Sequence, residues 1–289
     1  MNDNIPGFGG RWTEQKLLIL RKYLSAYTTA LSKAPFKTAY IDAFAGTGYR
    51  ESSASTRLKQ LKPLLPVQRF LDGSARVALL SEPAFDRYVF IEKDPARCRE
   101  LEKLKSEFPD RAKSISIVTG DANSRIQAMC SKRWEQRRAV LFLDPYGMQV
   151  RWQTIEAIAK TKAIDLWILF PLGGVNRMLT QSGEIPPEWK LRLNELLGAT
   201  DWYEKFYQTE ASLSLFGEQI DRVIKAKATV ISEYFLGRLR GCFAGVATNP
   251  AVLYNSKNSP LYLFCFAAGN PKGAPIALKI ASHILKMGS

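Results

Sequence analysis

A chain of 289 residues, 46% of them hydrophobic, is long enough for one large domain with a packed core, and it has no apolar run near the ~20 residues a membrane span needs. Its 41 Lys and Arg against 27 Asp and Glu give a formal charge of +14, which attracts polyanions, nucleic acid first among them. One histidine, His283, and four widely spaced cysteines (Cys98, Cys130, Cys242 and Cys265) argue against His-based triads, metal centres and a disulfide framework, so free thiols and no metal are expected.

The opening MNDNIPGFGG lacks the basic-then-apolar pattern of a secretory signal, which places the chain in the cytoplasm. Residues 12–32 read as an amphipathic helix: Leu17, Leu20, Leu24, Tyr27 and Leu31 recur at helical spacing, with Thr13 as N-cap. Short apolar runs follow at 38–44, 87–92, 114–119, 139–143 and 164–170, as expected of strands covered on both faces. Helical stretches lie between them, notably 95–107 and 152–160. The alternation predicts an α/β fold with a mostly parallel, doubly wound sheet, forming a single domain over 1–289. Near the end, 251–254 and 261–267 flank the turn-forming NSKNSP and predict an antiparallel hairpin, followed by a last helix at 276–286.

Two stretches interrupt the alternation. One is a basic insert at 49–72, after the first strand. The other, 171–250, reads as a helical insertion on the patterns at 187–197 and 218–239. Both follow the carboxyl ends of strands, the edge at which open α/β sheets bind ligands, so both are candidates for substrate recognition.

Four strand ends carry polar residues. The first runs into Asp42-Ala43-Phe44-Ala45-Gly46-Thr47-Gly48, where glycines let the backbone approach a ligand closely. The second ends in Glu92, which could accept hydrogen bonds from both hydroxyls of a ribose. Glu92 lies about 44 positions after Gly48, against the roughly 20 of a dinucleotide site, which disfavours that class. The third is followed by Gly120-Asp121-Ala122-Asn123, suited either to reading an adenine edge or to an ordinary turn. The fourth ends in Leu143-Asp144-Pro145-Tyr146-Gly147, which is also turn-prone. There an acceptor, a rigid turn and an aromatic face could hold an exocyclic amino group beside a sulfonium methyl.

YIDAFAGTGYR, DGSARVAL, FIEKDPAR, GDAN, LDPYG and DLWILFPLGG occur in this order, after an N-terminal W-T-x-x-K-L-x-x-L-x-x-Y-L. Over about residues 12–285 the set resembles the three-Cys-motif partner proteins of the class I S-adenosylmethionine-dependent methyltransferase superfamily. The resemblance implies a Rossmann-like class I methyltransferase fold, S-adenosyl-L-methionine as cofactor and a three-Cys-motif protein as partner. It also assigns roles. Asp42, Phe44, Gly46 and Gly48 would line the methionine end of the cofactor, Glu92 would hold the ribose, and Asp121 and Ala122 would contact the adenine. Asp144, Pro145 and Tyr146 would face the methyl acceptor as the catalytic set. That set is similar to the D-P-P-Y motif of amino-methyltransferases acting on bases, but has one proline and places Tyr146 third.

The insert holds Arg50, Arg57, Lys59, Lys62 and Arg69 against Glu51 and Asp72, a composition suited to phosphate contacts. Arg125, Lys132, Arg133, Arg137 and Arg138 form a second basic cluster, and Arg222, Lys225, Lys227, Arg238 and Arg240 a third. The expected function is methylation of a base amino group in nucleic acid, with a duplex base flipped out to reach Asp144. The alternatives are a methyltransferase for a protein or small molecule within a partner complex, and a catalytically silent cofactor-binding module.

Overall fold

The computed structural model describes residues 11–45, 73–213 and 219–287. In chain order the elements are α1 (Arg11–Leu31), β1 (Lys37–Ala43), α2 (Ser74–Leu79), β2 (Arg87–Glu92), α3 (Pro95–Glu107), a 3-10 turn (Pro109–Ser114), β3 (Ile115–Thr119), α4 (Ala122–Cys130) and β4 (Arg137–Leu143). Then come α5 (Trp152–Lys160), β5 (Ile164–Phe170), α6 (Leu172–Met178), α7 (Pro187–Leu197), α8 (Trp202–Phe206), β6 (Tyr207–Leu213), β7 (Gln219–Lys225), α9 (Ala228–Arg240), β8 (Gly245–Val246), β9 (Ala251–Tyr254), β10 (Pro260–Ala268) and α10 (Ala274–Met287). Among the described residues no helix is long and apolar enough to cross a membrane.

The main sheet runs β3-β2-β1-β4-β5-β10-β8, with β9 also paired to β10. The first five strands are parallel and β10 is antiparallel to β5. Ala268 and Ala267 pair with Gly245 and Val246, and Phe264 and Leu263 with Ala251 and Val252. Thus β8 and β9 are one outer strand broken at 247–250, where Pro250 has no N–H for a ladder. The mostly parallel, doubly wound sheet with its C-terminal antiparallel hairpin is the Rossmann-like α/β architecture expected from the strand and helix alternation.

Each face of the sheet is covered by helices. On one side α1, α2, α3 and α10 pack on Tyr40, Tyr88, Phe90, Phe142, Trp167, Phe264 and Phe266. On the other, α4 to α9 pack on Ile41, Ile91, Leu141, Leu166, Ile168 and Phe170. All seven residues of the central β5 are buried, whereas the edge strand β3 buries only Ile115. Burial on both faces explains why the inner strands read as unbroken apolar runs.

Two local expectations change. α1 starts at Arg11, so Thr13 lies inside the first turn and is not the N-cap. The stretch 218–239 is not one helix: β7 pairs antiparallel with β6 from Tyr207↔Lys225 to Leu213↔Gln219, and α9 begins only at Ala228. The insertion after β5 is therefore mixed. It shares the main core, with Phe235 of α9 stacked on Phe170 of β5 at 4.0 Å.

Candidate active site

Side chains alternate faces along a strand, so Tyr40 and Asp42, Phe90 and Glu92, and Phe142 and Asp144 all project toward the α1 side. Asp42 is level with Phe90 and Phe142 on its two neighbours. Glu92 and Asp144 lie two positions further along, flanking Phe44. Two strand spacings put their backbones about 10 Å apart. Three carboxylates thus share one face at the carboxyl edge of β2, β1 and β4.

Each is held differently. Asp42 is 1% exposed; its Oδ2 accepts from the Tyr40 hydroxyl at 3.1 Å, and its Oδ1 is buried with no hydrogen bond among the described residues. Burial pushes its carboxyl up to about 7, against the opposing hydrogen bonds from Ser74 and Tyr40. An orphaned buried acceptor of this kind suits a cationic donor such as the ammonium of a methionine moiety. Phe44, next in the turn, has φ 70, a left-handed conformation rare outside glycine and concentrated at functional sites. The amide of Ala45 then donates to the Ile91 carbonyl at 3.1 Å, turning the chain beside β2.

Glu92 is 8% exposed, and its Oε1 accepts from the amides of Lys93 and Asp94 at 2.7 and 2.8 Å. Arg97 stands 3.9 Å from Oε2. The side chain is thereby fixed in place, with Oε2 facing Arg97. Asp94 caps α3 through the Ala96 amide while its own amide donates to Glu92, so the Glu92 carboxylate is set by the start of that helix.

Asp121 acts as the N-cap of α4, accepting from the amide and hydroxyl of Ser124, both at 2.9 Å. The Ser124 amide hydrogen bond, with help from that hydroxyl, holds the carboxyl below its usual range. Its side chain is thereby committed to the helix, whose first residue, Ala122, is buried. Asn123 bridges to the next loop: it donates to the Gln149 carbonyl and accepts from the Arg151 amide and the Thr154 hydroxyl. These bonds anchor the far side of the Asp144–Gly147 turn, in which Pro145 is buried and Tyr146 is 68% exposed.

No family model and no curated protein matches the chain. Among solved structures, it is similar to protein LPL1258 from Legionella pneumophila (14% identity, 93% of this chain and 91% of that one, TM-score 0.47). It is also similar to spermidine synthase from Thermotoga maritima (9%, 90% and 60%, TM-score 0.41) and to the CcbJ methyltransferase from Streptomyces caelestis (10%, 92% and 100%, TM-score 0.37). Identities and scores this low leave the fold assignment resting on the strand order.

The structure adds residues that the strand-end motifs do not include. Lys16, only 7% exposed on α1, donates its ammonium to Asp144 Oδ2. It also lies 5.0 Å from the Trp12 ring centroid, and Trp12 packs on Tyr262 of β10 at 5.3 Å. A signal for it exists in the sequence: Lys16 breaks the apolar stripe of its helix, in the W-T-x-x-K stretch.

Gly46, Gly48, Arg50, Arg57, Lys59, Lys62 and Arg69 lie outside the described residues. Of the other basic clusters, Arg125 stays at the carboxyl edge, on Thr119, the residue that pairs with Glu92, while part of the second cluster lies elsewhere. Lys132, Arg133 and Arg138 line a cavity of about 380 Å³ at the opposite edge of the sheet, together with Lys160 and Lys162. Arg125 donates to the Thr119 carbonyl, Arg238 to those of Leu197 and Gly198, and Arg240 pairs with Glu233. Much of the second and third clusters therefore ends helices and secures loops, a common use of Arg and Lys near helix C-termini.

Proposed function

We propose that this protein is an S-adenosylmethionine-dependent methyltransferase acting on a base amino group in nucleic acid, in the cytoplasm. One observation carries the reading: Glu92, Asp42 and Asp144 share one face at the carboxyl edge of three adjacent strands, and each is held for a different task. When bound, S-adenosylmethionine supplies an electrophilic methyl group. Asp42 Oδ1 would take its ammonium, the strained turn at Phe44 would line the methionine, Glu92 would hold the ribose, and the backbone at Asp121 and Ala122 would meet the adenine. Asp144, Pro145 and Tyr146 then position the acceptor amine and exclude water, which is most of what methyl transfer asks of a protein. The motif resemblance adds a three-Cys-motif protein as partner, and the basic insert at 49–72 would grip phosphates beside the site.

The test is incubation with methyl-labelled cofactor and separate pools of DNA, RNA and protein. Label in a nucleic-acid pool is expected. Label only in protein would move the acceptor to that class, and binding of NAD with no binding of either methyl cofactor would end the methyltransferase reading.

A further inference from the structure

Lys16 is the residue of α1 that local pattern explains least. Trp12, Lys16, Leu20, Tyr23 and Tyr27 lie along one stripe of the helix, and the last four are buried. A lysine in such a stripe costs stability unless its charge is paired, and this one is paired with Asp144, far away in sequence, at the catalytic edge. The stripe therefore ends, at the amino end of α1, in a cluster linked in space: Asp144 to Lys16, Lys16 to the Trp12 ring, and Trp12 to Tyr262. Tyr262 reaches the cluster because β10 runs antiparallel, so its first residues lie at the carboxyl edge of the parallel strands.

We propose that this cluster is the acceptor-recognition wall, and that it reads an unpaired nucleobase bearing an exocyclic amino group. Trp12 and Tyr262 supply the stacking surface, since a base offers its flat face to any aromatic ring whatever its sequence. Lys16 is a positioning residue. It occupies Oδ2 of Asp144 and so fixes the carboxylate plane, which leaves Oδ1 as the oxygen to accept from the amino group. Discrimination would then come from that one acceptor, because a base with a carbonyl in place of the amino group leaves it unpaired.

The inference rests on the methyltransferase reading, and its test separates the two. Calorimetry with S-adenosylhomocysteine reads cofactor binding in every variant. Fluorescence titration with single-stranded oligo-A, oligo-C and oligo-T, in ribose and deoxyribose forms (oligo-U for the ribose series), reads the wall. Length-matched oligomers carry equal phosphate charge, so differences among them report the base. The ribose and deoxyribose arms show which backbone the site prefers. Wild type should bind the A and C oligomers more tightly than T or U, with quenching that disappears in W12F. W12A and Y262A should lose on the order of tenfold or more for all of them, and Y262F much less. K16M should keep stacking affinity but lose the preference for amino-bearing bases, and K16R should restore it. All variants should keep S-adenosylhomocysteine affinity and a cooperative unfolding transition, at somewhat lower stability where the pair or an aromatic ring is lost.

Wild-type discrimination in K16M, or wild-type affinity in both W12A and Y262A, would overturn the wall. So would failure of wild type to bind any oligomer while S-adenosylhomocysteine binds. Failure of S-adenosylhomocysteine itself to bind would instead overturn the reading beneath it.

Discussion

The hydroxyl of Tyr40 donates to Asp42 Oδ2 at 3.1 Å, while Asp42 Oδ1, equally buried, has no hydrogen bond among the described residues. Burial holds this carboxyl near 7, so the free protein binds a proton there below neutral pH. A ligand ammonium against Oδ1 favours the ionised form and expels that proton. The affinity for S-adenosylhomocysteine should therefore be level above about pH 7 and fall below it, by up to about tenfold per pH unit. Calorimetry at pH 6 in buffers of different ionisation enthalpy should register proton release. Asp42→Asn should bind more weakly and lose the pH dependence; an affinity flat from pH 5.5 to 8.5 in wild type would remove Asp42 from the ligand.

Glu92 is preset by the amides of Lys93 and Asp94 on one oxygen, so the cost of removing it falls on what the other oxygen binds. Glu92→Ala should weaken S-adenosylhomocysteine binding by about 10- to 150-fold, the worth of roughly 1.5–3 kcal/mol for a charged acceptor. Glu92→Gln keeps one oxygen acceptor and should lose less. Equal affinity in wild type and Glu92→Ala would mean that the ribose is held elsewhere.

Asp144→Ala should abolish methyl transfer and leave cofactor affinity nearly unchanged, since the residue would orient the acceptor and the loss would appear in the chemical step. It also strands the ammonium of Lys16, whose side chain is 9% exposed against 28% for Asp144. Removing one partner of a fully buried pair costs about 3–5 kcal/mol; partial exposure reduces that here to about half. The double variant Lys16→Met, Asp144→Leu should therefore be more stable to denaturant than Asp144→Ala while remaining inactive. A double variant less stable than Asp144→Ala would contradict the pairing.

At the end of α7, Gly198 has φ 65, and a Cβ there would lie 2.0 Å from the Trp152 ring. The same ring lies under Arg238, which donates to the carbonyls of Leu197 and Gly198. Gly198→Ala should cost about 2 kcal/mol or more, from the left-handed backbone and the clash together. Gly237→Ala, in the exposed face of α9 with open space around the position, should be neutral or stabilise by about 0.5–1 kcal/mol. Thermal unfolding of the two variants should move in different directions or by clearly different amounts.

The sheet is legible in the sequence because its strands are buried on both faces: the apolar runs at 87–92 and 164–170 have the boundaries that the structure gives β2 and β5. Pro95 after the capping Asp94 likewise marks the start of α3 in the sequence alone. The hairpin β6–β7 is not legible, because a two-stranded ladder outside the main sheet has neither the run of apolar residues nor a tight turn signal, and pairing decides it. Asp121 shows a different gap: G-D-A-N is compatible with adenine contact and with helix capping, and only the Ser124 bonds show where its side chain goes. Lys16 is visible as a break in an apolar stripe, but its partner, 128 residues away, is not.

The last prediction concerns which basic cluster meets nucleic acid. Lys132 and Arg133 line the cavity at the opposite sheet edge, beyond the end of α4, where the helix dipole favours cations and opposes a bound phosphate. The insert at 49–72 instead follows directly on the turn at Phe44. Charge reversal at Arg57, Lys59 and Lys62 should weaken binding to a single-stranded oligonucleotide and flatten its salt dependence, by about 0.7 in the slope of log K against log salt for each phosphate that the variant no longer neutralises. Charge reversal at Lys132 and Arg133 should change the slope much less, because those side chains face away from the carboxylates. S-adenosylhomocysteine affinity should survive both. If the opposite-edge variant shows the greater fall in slope, the phosphate track lies across that edge, and the acceptor would have to reach Asp144 from the far side of the sheet. No salt dependence in wild type would instead favour a protein or small-molecule acceptor.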